Sequence, residues 1–254
     1  MLLNYLRRLS GNQRTRSTNR QLGAILALVA GAVNAGGFLA VNQYTSHMTG
    51  FVSAIADNLV LGNALLVLGG VGSILAFLCG ASATAIIINW SRHRGLGSEY
   101  ALPLVTEAML LLLFGLLGAN LHAFVAITLP ATVLLLCFIM GLQNALVTQL
   151  SNAEIRTTHI TGVVTDLGIE LGKMLYWNRS NQPHAEGHVH ADRDKLMTLI
   201  AILTMFFIGC LIGAIGFKTF GFATVLPFAV LLVCMALVPL LDDVIALSRN
   251  KLQN

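Results

Sequence analysis

A short polar motif occurs twice in this chain, each time in very apolar surroundings. The first copy reads Gly31-x-x-Asn34-Ala35 and continues to His47-x-Thr49-Gly50. The second copy begins 110 positions later and reads Gly141-x-x-Asn144-Ala145, then His159-x-Thr161-Gly162 after two additional residues. An internal repeat constrains the architecture strongly, because each copy predicts the same structural unit. The sequence therefore predicts two related halves with polar groups at matching places.

Composition predicts an integral membrane protein. Of the 254 residues, 56% are hydrophobic and 10% are charged, whereas soluble domains carry about 25% charged residues. The mean hydropathy is +0.78. The net charge of +4 is small, and its basic residues lie in flanks and loops, a pattern that orients a protein in a bilayer. We expect the lipid bilayer as a partner and no nucleic acid.

Long apolar runs predict six transmembrane helices, because backbone polar groups in a bilayer must be satisfied within the segment. The predicted spans are 22–41, 64–89, 103–119, 123–148, 196–217 and 220–241. Lysine and arginine precede the first span, follow the second, lie between the fourth and fifth, and follow the sixth. The positive-inside rule then predicts that both termini are cytoplasmic.

Three spans per motif copy predict an inverted arrangement, because an odd number of crossings makes the second half enter from the opposite face. We therefore expect an all-α fold of six transmembrane helices in two inverted three-helix repeats, each with a short broken or re-entrant helix. The expected divisions are a basic cytoplasmic segment 1–20, a first repeat 21–120, a second repeat 121–247 that contains a cytoplasmic loop 176–195, and a cytoplasmic tail 248–254.

Each Thr-Gly pair predicts the start of a short helix. Thr49 and Thr161 are suitable N-cap residues, and Gly50 and Gly162 permit close approach of the backbone to another group. Helix N-terminal amides favour anions and polar ligands. Discontinuous helices that point at a midplane site are typical of transporters. The alternative is a helix that lies flat at the membrane interface.

Ionisable residues follow both helix starts. Asp57 lies seven residues beyond Gly50, and Asp166 lies four beyond Gly162, so the carboxylates differ by roughly 60° around a helix. Glu170 lies one turn further. Together with His47 and His159, these groups suggest a proton relay within the membrane. The alternative for Asp166 and Glu170 is a position at the cytoplasmic surface.

Amide side chains complete the candidate pathway. We expect Asn34 and Asn144 to bridge helices or to face a polar cavity, with Gln143 beside them. Glu107 is expected at the membrane interface, with a membrane-embedded position as the alternative. The candidate substrate or ion pathway comprises Asn34, His47, Thr49, Gly50, Asp57, Gln143, Asn144, His159, Thr161, Gly162, Asp166 and Glu170.

The loop before span five contains His184, Glu186, His188 and His190. Such spacing suits a transition metal, but the flanking residues indicate a linker, and we expect no metal site and no cofactor. The chain has no HExxH, GxSxG, phosphate-loop or dinucleotide motif, which argues against an enzyme.

The Met48-Thr49-Gly50 and Gln143-Asn144-Ala145 elements, with Thr158 and Thr161-Gly162, resemble the bacterial YoaK family over roughly 20–245. This resemblance implies a six-span protein of the bacterial inner membrane and implies no activity. The family pattern has an acidic residue at the position of Asn34 and an asparagine at that of Phe51, so the first half differs from it.

Two functions are consistent with these patterns. The first is a small secondary transporter or permease for a small polar or anionic solute, with possible coupling to protons. The alternative is a membrane scaffold or lipid-binding protein that uses segment 150–195 as a docking surface. Formation of a homodimer is compatible with both.

Overall fold

The computed structural model describes residues 16–120, 125–150, 157–176 and 189–253. The regular structure in these ranges is helical. It consists of α1 (Arg16–Val41), α2 (Met48–Val60), α3 (Ala64–His93), α4 (Ala101–Ala119), α5 (Val125–Leu150), α6 (Ile160–Leu175), α7 (Arg193–Phe220), a 3₁₀ turn (Gly221–Thr224) and α8 (Val225–Gln253).

Five stretches of the described residues are long and apolar enough to cross a membrane. They coincide with α1, α3, α4 and α5, and the fifth covers 54 residues from Arg193 to Ala246. This last stretch contains both α7 and α8, which the sequence predicts as two separate spans. The chain changes direction locally at Gly221, whose φ of 60° lies in the left-handed region that favours glycine.

Two helix pairs dominate the packing: α1 lies against α7, and α3 lies against α5. Glycine allows the α1–α7 pair to approach to backbone contact. A Cβ at Gly209 would overlap the carbonyl oxygen of Leu28, and a Cβ at Gly31 would overlap that of Phe206. Close approach through small residues is a common way to pack helices in membranes.

The α3–α5 pair repeats this arrangement with matching residues. A Cβ at Gly80 would overlap the carbonyl oxygen of Phe138, and a Cβ at Gly141 would overlap that of Phe77. Gly141 follows Gly31 by the 110 positions that separate the two motif copies, and Phe138 follows Leu28 by the same interval. The duplication in sequence is therefore accompanied by a duplication of helix contacts.

Helices α1 and α5 run antiparallel. Asn19, near the start of α1, donates its side-chain amide to the carbonyl oxygen of Leu150 at the end of α5 (3.3 Å). Further along, Gln143 donates to the carbonyl oxygen of Leu26 (3.0 Å). Asn19 and Leu26 are seven residues apart on α1, and Gln143 and Leu150 are seven residues apart on α5. Both bonds therefore give the same register.

Helices α4 and α8 form a third antiparallel pair. At one end, Asp243 accepts the backbone amides of Gly97 (3.0 Å) and Ser98 (2.8 Å). Near the other end, Gly115 lies against Val225. The bonds from Asp243 therefore hold the loop between α3 and α4 against α8.

The short helices lie outside these pairs, α2 against α3 and α6 against α7. Many large apolar side chains stay exposed on the described surface, among them Leu65 of α3, which is 82% exposed. An apolar surface of this extent indicates contact with lipid.

Candidate functional site

Each motif copy is built around one hydrogen bond between an asparagine and a hydroxyl group. Ser46 donates its hydroxyl to Asn34 Oδ1 at 2.9 Å, and Thr158 donates to Asn144 Oδ1 in the same way. Both bonds join the end of a long helix to the segment that enters a short one. Each asparagine side chain therefore links its long helix to the following segment and does not bridge to another helix through this bond.

A buried hydroxyl lies next to each of these bonds. Thr45 and Thr157 are fully buried, and neither Oγ1 has a hydrogen-bond partner in the described part of the chain. A buried hydroxyl without a partner is costly, by about 1–3 kcal/mol. The same cost therefore occurs at the same place in both halves.

Short helices begin at both predicted places, but the predicted caps are wrong. The N-cap residues are His47 and His159, and neither makes a side-chain cap hydrogen bond. Thr49 and Thr161 lie inside the first turn instead, because each helix starts directly after its histidine. The N-terminal amides of α2 and α6 thus have no side-chain cap and are available to a ligand.

Both histidine rings are exposed, and each folds back over the glycine of its own motif. A Cβ at Gly50 would overlap the ring of His47, and a Cβ at Gly162 would overlap that of His159. Each glycine leaves space for the imidazole beside the helix start. His47 faces its glycine with the Cδ2–Nε2 edge of the ring, and His159 does so with the Nδ1–Cε1 edge.

An open depression of about 230 Å³ lies beside the first helix start. Its lining consists of Gln43, Tyr44, His47, Gly50, Phe51 and Ala54. The aromatic rings make it largely apolar, with the imidazole as its main polar group. It provides a short groove from the surface to the motif.

The carboxylates occupy different surroundings in the two halves. Asp57 is exposed on α2. Glu170 is buried and accepts hydrogen bonds from Lys173 Nζ (2.9 Å) and the Asp192 amide (2.9 Å). These donors, the lysine first, lower the pKa of Glu170. Since it fastens α6 to the segment before α7, its observed role is structural.

Asp166 is half-exposed and forms an ion pair with Lys195 at 3.4 Å. Lys195 also lies 3.8 Å from Glu170. These contacts place both acids of α6 in one polar network with the start of α7.

The two asparagines lie at different levels of the α1–α5 pair. The register places Asn144 level with Ile25, nine residues before Asn34, which is about 14 Å along the helix. Gln143 donates from α5 to α1 at the level next to Asn144. Asn34 and Asn144 therefore do not lie directly opposite each other.

Sequence reasoning missed Thr45 and Thr157, although a signal existed. The residues before each histidine read Thr45-Ser46 and Thr157-Thr158, so the repeated motif extends further towards its start. The side chain of Glu107 is completely buried, which its sequence context did not predict. Of the candidate metal loop, His184, Glu186 and His188 lie outside the described residues.

Together, the long apolar helices and their paired polar sites define an all-α, multi-pass membrane protein. The family described as "Protein of unknown function (DUF1275)" matches residues 22–238, and the chain belongs to this family. The UPF0700 transmembrane protein YoaK of Bacillus subtilis (strain 168) is 24% identical over 196 residues, which cover 76% of this chain and 81% of the Bacillus protein. The expected YoaK resemblance is confirmed. No solved structure matches the chain.

Proposed function

We propose that the chain crosses the bacterial inner membrane six times, as two inverted three-span repeats with both termini in the cytoplasm. A single 54-residue helix would measure about 80 Å, far more than the ~30 Å of a bilayer core. The turn at Gly221 and the separate partners of α7 and α8 support two crossings there. The antiparallel α1–α5 pair, whose members carry the two motif copies, supports the inversion.

Reporter fusions test this topology. Six crossings place fusions at the N-terminus and at Asn254 on the same side, whereas five crossings place them on opposite sides. Green fluorescent protein should fluoresce at both ends, and alkaline phosphatase should be inactive at both ends and active when inserted near Gly221. Phosphatase activity at Asn254 would contradict six crossings.

We further propose that the protein is a small secondary transporter for a small polar or anionic solute. The observation that carries this proposal is the pair of matched half-sites, each with a buried, unpartnered threonine hydroxyl beside an uncapped helix start. A polar solute would satisfy the hydroxyl and the amides at once. Inverted repeats in transporters alternate the access of such sites between the two faces.

In this scheme, the half-sites serve opposite faces in turn. Asn34 and Asn144 hold the entry segments in place, while the glycine-lined crossings of α1 with α7 and α3 with α5 allow the helix pairs to move as units. His47 and His159 lie exposed at the helix starts, where neutral or charged imidazole would contact an entering solute.

Transport by reconstituted protein tests the proposal. Full-length protein in lipid vesicles is assayed with radiolabelled amino acids, organic acids, nucleosides and inorganic phosphate. We expect wild-type protein to take up at least one probe, and the double variant Thr45→Val/Thr157→Val to lose that uptake. Valine keeps the shape of threonine and removes only the hydroxyl, so loss of uptake would reflect lost binding.

The matched control is Thr198→Val on α7, where an exposed hydroxyl only bonds the carbonyl oxygen of Asp194 in its own helix. This variant should transport as well as wild-type protein. Absence of uptake of every probe by wild-type protein, or equal uptake by the double variant, would overturn the proposal.

A further inference from the structure

Glu107 is a fully buried acid in the membrane-crossing helix α4. Its exposed fraction is 0%, and neither carboxylate oxygen has a hydrogen-bond partner among the described residues. Acids at membrane depth are rare and usually functional. Nothing in the two half-sites accounts for this residue.

Helix α8 is apolar at the level of Glu107. The contacts of Gly97 with Asp243 and of Gly115 with Val225 give one antiparallel register, which places Glu107 level with Val233. On this turn of α8, Leu232 and Ala236 are fully buried. Glu107 therefore lies halfway along the α4–α8 contact, at the level of these buried aliphatic side chains.

The elements that pack against α4 bring no charge to this level. The titratable side chains described on α3, α5 and α8 are Cys79, Arg92, His93, Cys137, Cys234, Asp242 and Asp243. Helix α7, whose Phe217 ring packs against Phe114 of α4, carries Arg193, Asp194, Lys195, Cys210 and Lys218. Of these, Lys218 is next to Phe217, and Phe114 lies seven residues from Glu107, about 10 Å along α4. Arg92 is paired with Glu99 at 2.6 Å. Asp243 lies ten residues along α8 from Val233, about 15 Å away, and the 3₁₀ turn carries no ionisable side chain.

An ionised carboxylate in such a place is so costly that the group is neutral instead. We propose that Glu107 is a proton-binding site, which holds its proton in this conformation and releases it when the bundle opens to water. The inference rests on the proposed transport function, to which it adds the coupling ion. It replaces the histidine–carboxylate relay expected from the sequence with a single acid between α4 and α8.

Chemical labelling tests the protonated state without any solute. A hydrophobic carbodiimide reacts with a protonated carboxyl group: the acid proton moves to a carbodiimide nitrogen, the carboxyl oxygen bonds to the central carbon, and the adduct rearranges to a stable N-acylurea. Full-length protein in lipid vesicles is treated from mildly acidic to mildly alkaline pH, and peptides are mapped by mass spectrometry.

We expect the label at Glu107, with a yield that falls as pH rises. Glu99 and Glu170 are internal controls, because both are buried but paired with Arg92 and Lys173, and should stay unlabelled. Glu107→Gln should lose the label and keep its fold, while Glu107→Asp should restore labelling. Absence of label at Glu107 at every pH, or equal labelling of Glu99, would overturn the inference.

A flux measurement tests whether proton binding at Glu107 drives uptake of the solute. With the radiolabelled probe that wild-type protein takes up, Glu107→Gln should keep exchange across the membrane but lose uptake driven by a pH gradient. Retained gradient-driven uptake would overturn the inference. If wild-type protein carries no probe while Glu107 is labelled, the transport proposal fails and the proton site stands.

Discussion

The hydroxyl of Ser46 donates to Asn34 Oδ1 at 2.9 Å, and this bond fixes where the chain turns from α1 into α2. The corresponding bond from Thr158 to Asn144 fixes the turn from α5 towards α6. The asparagine and hydroxyl positions match in the two copies, with the second hydroxyl displaced by the two extra residues. The repeated motif therefore positions the start of the short helix that follows it.

Loss of this bond should loosen the helix start. Ser46→Ala removes the donor and leaves Asn34 Oδ1 without this partner, so we expect a loss of about 0.5–1.5 kcal/mol. The measurement is the thermal unfolding midpoint of the purified protein in one detergent. Ser53→Ala is the control, since Ser53 is exposed on α2. Equal midpoints for the two variants would show that the bond contributes nothing.

Removal of the unpartnered hydroxyls should stabilise the fold. Thr45→Val and Thr157→Val each replace a buried, unsatisfied hydroxyl with a methyl group, with an expected gain of about 1–3 kcal/mol. Thr84→Val is the matched control, because the buried Thr84 hydroxyl bonds the carbonyl oxygen of Leu142 at 2.9 Å and its loss should destabilise. Chemical denaturation in detergent measures all three. A destabilised Thr45→Val protein would show that this hydroxyl has a structural partner.

Hydropathy and the repeat predicted the long helices well, because apolar runs in a bilayer leave few alternatives to a helix. The predicted spans 64–89 and 103–119 correspond to Ala64–His93 and Ala101–Ala119. The short helices were also found where the Thr-Gly pairs predicted them. These features depend on local sequence, which is visible without a structure.

Other features depended on neighbours that are distant in sequence. The helices α2 and α6 start directly after His47 and His159, so Thr49 and Thr161 lie inside the first turn and do not cap it. The antiparallel register of α1 and α5 offsets Asn34 from Asn144 by about 14 Å along the helices. The complete burial of Glu107 depends on the helices that pack against α4.

The close contact between α3 and α5 should be lost when the glycine at their crossing gains a side chain. Gly141→Ala places a methyl group against the carbonyl oxygen of Phe77, so α3 and α5 must separate at a cost of about 1–3 kcal/mol. Gly69→Ala is the control, because nothing lies within 4 Å of its added Cβ and alanine favours a helix by about 1 kcal/mol. Thermal unfolding midpoints should therefore move in opposite directions. Similar shifts would contradict the tight crossing.

Acid should weaken the attachment of α6 to α7, because Glu170 becomes protonated and loses its charge. Lys173, the Asp192 amide and Lys195 stabilise its charged form, so the pKa of Glu170 is lowered in the folded protein. A folded-state pKa below the unfolded value makes this stabilisation present above the unfolded pKa of about 4.3, and it is lost as pH falls through the folded pKa. Wild-type protein should lose protection of the α6 amides against hydrogen exchange as pH falls through this window.

Glu170→Gln removes the charge, so its α6 amides should be less protected at neutral pH and should change little with acid, after correction for the intrinsic exchange rate. Asp57→Asn on the exposed face of α2 is the matched control and should follow the wild-type curve. If Glu170→Gln loses protection in acid in parallel with wild-type protein, then another group holds α6 against α7, and the Lys173–Glu170–Asp192 contact is not what fastens this helix.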